Sequence, residues 1–182
     1  MTQISVTEIE GVRIAKSVLT SDPRGTFIKV EPTKELENTL GGVGVSLNPN
    51  LGTIRGLHFQ IEPFAEEKII SCIQGSAFEV IIDIRPQSET FGRWATFELS
   101  SDNGLQVYLP KGIAHGFQTL QPDTIIQYCL TSSYSQESAF SIDPFSDIGI
   151  NWPLKEFSIS DRDANGLTLS TAAKKYAHSL KK

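Results

Sequence analysis

Histidine and cysteine are scarce in this chain: its 182 residues include three histidines and two cysteines. Cys72 and Cys129 stand far apart with no Cys-x-x-Cys spacing, which excludes a zinc ribbon and a disulfide scaffold and fits reduced thiols in a cytoplasmic protein. No apolar run approaches the roughly 18 residues that a membrane-spanning helix needs. Glu8, Glu10, Arg13, Lys16, Asp22 and Arg24 interrupt any secretory apolar segment at the start. Basic charge is also short: 16 Lys and Arg against 21 Asp and Glu leave a net charge of -5, which argues against a partner held mainly by the phosphates of a long nucleic acid. A local anion site stays open. A length of 182 residues is enough for one substantial core and points to a single domain over 1–182.

What the chain does have is β-type patterning. Fourteen glycines and nine prolines fall between short apolar stretches instead of gathering in a linker. In 78–84, Phe78, Val80, Ile82 and Ile84 alternate with the acidic Glu79 and Asp83, the period-two pattern of a strand buried on one face. Similar runs occupy 95–99, 105–109 and 125–130, with Gly75, Pro86, Gly104, Pro110 and Pro122 in the gaps. This recurrence predicts a sandwich or barrel. Helix is expected in two places: a short turn capped by Thr33 through Leu36 and Leu40, and a C-terminal helix on which Ala173, Tyr176, Ala177 and Leu180 share a face.

Few residues are left to carry chemistry. Arg55 and His58 lie three apart in an apolar strand, so strict alternation sends them to opposite faces unless Gly56 forms a bulge that re-aims one. Both readings stand: a shared cavity, or a core histidine beside a surface arginine. His115 follows the Pro110–Gly112 turn and is expected to open a strand at a rim, either touching a ligand or stabilising the turn. Lys68 shares a strand face with Ile70 and Cys72, where an ammonium must snorkel outward or find a partner. Tyr128 alternates with Ile126 and Leu130, so its hydroxyl needs a polar neighbour inside. His58 is followed by Gln60 and His115 stands alone, which is not the ligand spacing of a metal site; no metal and no cofactor are predicted.

Several segments, in order, carry a family resemblance: 22–27 (DPRGTF), 55–60 (RGLHFQ), Lys68, 83–85 (DIR) with 90–94 (TFGRW), 110–117 (PKGIAHGF), Tyr128, 147–153 (DIGINWP) and 160–163 (SDRD). Together the chain resembles the dTDP-4-dehydrorhamnose 3,5-epimerase family, a metal-free branch of the cupins. The resemblance implies a mainly β, cupin-type double-stranded β-helix or jelly roll with a few short helices. It further implies a homodimer acting on a nucleotide-diphosphate-linked keto sugar, inverting C3 and C5 of a dTDP-4-keto-6-deoxyhexose through an enolate.

Position by position, His58 resembles the base, Asp163 its carboxylate orienter, Lys68 the group facing the enolate oxygen and Tyr128 the acid on the opposite face. Arg24, Phe27, Arg55 and His115 resemble substrate contacts. Strands at 13–18 and 28–30 are expected to pair across subunits. The chain departs from the family pattern at positions that the resemblance places on the nucleotide side of the ligand wall: at Lys29, where Glu is common, at Val43 and Val45, where Gln and Asn are usual, and at Glu66, which replaces a frequent Gln. These departures leave room for a GDP, CDP or UDP carrier, for epimerisation at one carbon, or for a non-catalytic sugar-nucleotide binder. A metal-dependent cupin is the remote alternative.

Overall fold

The computed structural model describes residues 3–30 and 40–181, so Thr33 and Leu36 of the expected N-terminal turn lie outside the described residues. Thirteen strands and two helices are found among the described residues. In chain order the strands are β1 (Gln3–Val6), β2 (Arg13–Lys16), β3 (Leu19–Asp22), β4 (Gly25–Ile28), β5 (Gly42–Asn48), β6 (Ile54–Gln60), β7 (Lys68–Gln74), β8 (Ser76–Asp83), β9 (Trp94–Ser100), β10 (Leu105–Leu109), β11 (Ile113–Thr119), β12 (Thr124–Leu130) and β13 (Ala139–Ser141). The helices are α1 (Asp161–Ala164) and α2 (Leu169–Ser179).

Two antiparallel sheets form a jelly roll. One has the order β1-β2-β10-β7-β12-β5 and the other β13-β6-β11-β8-β9, while β3 and β4 make a separate hairpin. From β5 onward the chain passes repeatedly from one sheet to the other, and tight turns such as Gly75 (φ +74) between β7 and β8 allow it. Ile70, Cys72, Val107 and Ile126 from the first sheet meet Ala77, Ile81, Leu99 and Phe117 from the second in the central core. That core fills one end of the sandwich. The other end stays open between the edges formed by β5 and by β6 with β13.

The alternation along β8 has a different meaning from a half-solvated strand. Glu79 and Asp83 are as fully buried as Val80 and Ile82. Val80, Ile82 and Ile84 pack outward under α2 and the C-terminal segment, against Ala172 and Tyr176, while Ile81 packs into the central core. A strand covered on both faces still alternates when its inner face carries polar groups with partners: Asp83 accepts from Arg85, Ser88 and Thr90 at 2.6–2.9 Å. The C-terminal helix forms as expected, but its buried face is Ala172, Ala173, Tyr176 and Ser179, and Leu180 is exposed. The Ser179 hydroxyl takes the place of an apolar side chain there by bonding the Tyr176 carbonyl at 2.7 Å.

Candidate active site

A cavity of about 300 Å³ opens between the two sheets, lined by Arg55, His58, Lys68, His115 and Tyr128 among others. Local backbone geometry explains why Arg55 and His58 both reach it. Along β6 against β11 the register runs from His115 opposite His58 to Phe117 opposite Arg55, so three steps on β6 match two on β11. That extra residue is the bulge expected at Gly56, whose φ of +118 only glycine adopts easily. A Cβ at Gly56 would come within 2.6 Å of the Gly116 Cα, so the two strands need glycine at both positions to approach this closely.

Asp163 sits behind His58. Its carboxylate oxygens lie 2.7 Å from His58 Nε2 and 3.1 Å from the Gly56 amide, which donates to it. The short α1 holds it there: Ser160 caps the helix by accepting from the Asp163 amide. Burial pushes the Asp163 carboxyl up, but the hydrogen bond and charge of His58, with the Gly56 amide, together outweigh it and hold the carboxyl at about 2. The carboxylate is therefore ionised at neutral pH, and no group among the described residues hydrogen-bonds His58 Nδ1.

Tyr128 approaches from the facing sheet. Its hydroxyl pairs with Ser46 Oγ at 3.2 Å, and burial raises its pKa well above the phenol range, so it is a proton carrier at neutral pH. Lys68 opens β7 in the same sheet, in one row with Leu130 and Gly42. It is buried, and its ammonium meets the equally buried Glu66 carboxylate at 3.2 Å. The snorkelling alternative does not apply. Arg55 donates from Nε to Asn48 Oδ1 at 2.7 Å.

Some expectations are corrected. His115 does not open a strand at a rim: it is the third residue of β11, buried, with Nδ1 2.8 Å from Glu79 Oε1. Val43 and Val45, expected on the nucleotide side of the site, do not line this cavity. Alternation along β5 turns them to the outer surface, and the cavity side carries Gly44, Ser46 and Asn48. Arg24 and Phe27 are not brought to the cavity either. Among the described residues the β3–β4 hairpin pairs only with itself, Phe27 is 67% exposed, and Arg24 bonds its neighbour Asp22 at 2.6–3.2 Å.

Residues that sequence reading missed complete the site. Arg162 and Tyr134 line the mouth, their side chains 3.4 Å apart. The only sequence signal for Arg162 was its place beside Asp163 on a capped helical turn. Glu79 was hidden by its alternation with apolar residues, and Ser46 and Asn48 by their valine and leucine neighbours. Among the described residues no group of three or more His, Cys, Asp or Glu is placed to hold a metal ion.

The family model of dTDP-4-dehydrorhamnose 3,5-epimerase matches residues 6–171. The chain belongs to the dTDP-4-dehydrorhamnose 3,5-epimerase family. A dTDP-4-dehydrorhamnose 3,5-epimerase of Sinorhizobium fredii is 40% identical over 171 residues, covering 89% of this chain and 85% of the relative. A dTDP-4-dehydro-6-deoxyglucose 3-epimerase of a Streptomyces species is 34% identical, covering 90% of this chain and 87% of its own. Among solved structures, the Legionella pneumophila dTDP-6-deoxy-D-glucose-3,5-epimerase in complex with dTDP-4-keto-L-rhamnose aligns with a TM-score of 0.86 and 32% identity over 93% of this chain and 94% of that one. The span matched by the dTDP-4-dehydrorhamnose 3,5-epimerase family runs from the end of β1 into α2, so every cavity residue named above lies inside it. No helix among the described residues is long and apolar enough to cross a membrane.

Proposed function

We propose that this chain inverts C3 and C5 of a dTDP-linked 4-keto-6-deoxyhexose by removing and returning protons beside the ketone, as a single-domain, cytoplasmic homodimer that needs no cofactor. The observation that carries this reading is the placement of His58, backed by the ionised Asp163 carboxylate of α1, on one sheet and a protonated Tyr128 on the facing sheet, with a buried ammonium in the same cavity.

A proton α to a ketone is removable only when the oxyanion that forms is stabilised, and one preorganised donor contributes about 3–4 kcal/mol to such a transition state. Lys68 supplies it. His58 Nε2 is engaged by Asp163, so Nδ1 takes the proton, and the carboxylate stabilises the imidazolium that results. Tyr128 then returns a proton from the other side of the planar enolate, which inverts the carbon. Arg55 and Arg162 at the mouth suit the diphosphate, since guanidinium forks match phosphate oxygens.

The experiment is incubation with dTDP- and GDP-linked 4-keto-6-deoxyhexoses in heavy water, counting deuterons at each carbon. Two labels on the dTDP sugar are expected; one label identifies a single-carbon epimerase, and none on either carrier overturns the reading in favour of a binder. Tyr128→Phe should keep proton exchange but lose inverted product, and equal loss of both removes the role given to Tyr128.

A further inference from the structure

Two histidines face one another across β6 and β11, and each has a carboxyl partner. The surroundings of the two carboxyls are opposite. Asp163 accepts from a backbone amide as well as from His58. Glu79, on β8, is 0% exposed, touches His115 Nδ1 through Oε1 alone, and leaves Oε2 without a hydrogen-bond partner.

A carboxylate oxygen buried with no donor is among the costliest groups a protein interior can hold. The acid form avoids most of that cost. Its one proton lies between Oε1 and Nδ1, and only a neutral carbonyl oxygen is left bare. We propose that Glu79 is a positioning residue held as the carboxylic acid: it donates to Nδ1 of His115 and so fixes the ring as the Nε2–H tautomer, a permanent donor toward the substrate's ketone oxygen in the cavity that Lys68 shares.

The other groups facing this pair act in the same direction or too weakly to reverse it. Burial pushes the Glu79 carboxyl well up, and the Lys68 charge from β7 pulls it back only in part. Burial pushes His115 well down, and the charges of Lys68 and of His58 from β6 add to that. Tyr128 from β12 lies with its ring 6.0 Å from the His115 ring and stays neutral. The two histidines therefore divide the work. His58 keeps a free lone pair and can act as base, whereas His115 has its lone pair engaged and can only donate. The oxyanion then meets two donors, one charged and one neutral.

The role at the substrate oxygen rests on the epimerase reading above, but the tautomer does not, and the two fail separately. In full-length protein labelled with 15N-histidine, long-range 1H–15N spectra report which ring nitrogen of His115 carries hydrogen, with His58→Asn and His178→Gln supplying the assignment. The expected result is an unprotonated Nδ1 and a protonated Nε2, unchanged from about pH 5.5 to 8.5. An Nδ1–H ring, or an imidazolium titrating in that window, overturns the proposal whether or not the protein turns over any sugar.

Activity supplies the second reading. Glu79→Gln offers an amide N–H to Nδ1 in place of the acid and should keep the deuterium-exchange rate within about threefold, whereas Glu79→Leu should lower kcat roughly 100-fold with KM little changed. A Gln variant with a native-like spectrum that is as slow as Leu would mean that a negative charge is required there, which also overturns the proposal. Wild-type protein that exchanges no deuterium while showing the Nε2–H tautomer would sink the epimerase reading and leave the Glu79–His115 geometry standing.

Discussion

Asp163 couples the chemistry of the cavity to the acid stability of the fold. Its carboxyl is held at about 2 in the folded chain, below the ordinary 3.8. A depressed carboxyl contributes stability that is fully present above the unfolded value and is lost as pH falls through the folded one. Wild-type protein should therefore lose stability from about pH 4 down to about pH 2, and Asp163→Asn should be less stable above that window with a flatter profile inside it. Urea unfolding at a series of acidic pH values checks this, and parallel profiles for the two proteins would show that the His58 pairing does not hold the carboxyl down. At this scale the sequence was informative where a residue type was out of place: a lysine on an apolar face, a tyrosine in register with isoleucine and leucine. It was silent on Glu79, because an acid on an alternating strand looks the same whether its face meets water or the inside of a barrel.

Two strands define how the cavity is bounded, and glycine matters in both for different reasons. In β6, an arginine and a histidine three apart around Gly56 left a bulge and a plain core strand as two open readings, and the register shift opposite β11 selects the bulge. In β5 the valines drew attention although the cavity-facing positions are the alternate ones. Gly44 is opposite Tyr128, has no positive φ to require glycine, and an added Cβ there would be an ordinary 3.6 Å from the Tyr128 ring. Glycine inside a strand without a backbone reason commonly marks a close approach by a ligand. Gly44→Leu should thus fold normally yet raise KM for the keto sugar nucleotide about tenfold by filling space beside Tyr128, whereas Val43→Asn on the outer surface should leave KM unchanged. Equal KM values for Gly44→Leu and wild type would show that substrate does not reach β5.

The architecture as a whole was legible as a count of short strands, and its assembly was not. β7 lies between β10 and β12, partners drawn from distant parts of the chain, and no local pattern encodes that pairing. Association is a matter for the same scale. The outer face of β5 presents Val43, Val45 and Leu47 at 54–65% exposure at the edge of the six-stranded sheet, with Ile73 of β7 exposed on that sheet as well. An apolar stripe on a strand at the edge of a sheet is a surface that natural sheets cover. In the proposed homodimer a second copy covers it, and the β3–β4 hairpin, which carries Arg24 and Phe27 away from the cavity of its own chain, is free to serve the other's. Sedimentation should then give a species of twice 20.0 kDa for wild type and a monomer for Leu47→Lys. If the hairpin works across the interface, Arg24→Ala should weaken sugar-nucleotide binding in the dimer, and the Leu47→Lys monomer should bind as weakly whether or not Arg24 is present. A wild-type monomer with full activity would confine the site to one chain and leave Arg24 and Phe27 without a part in it.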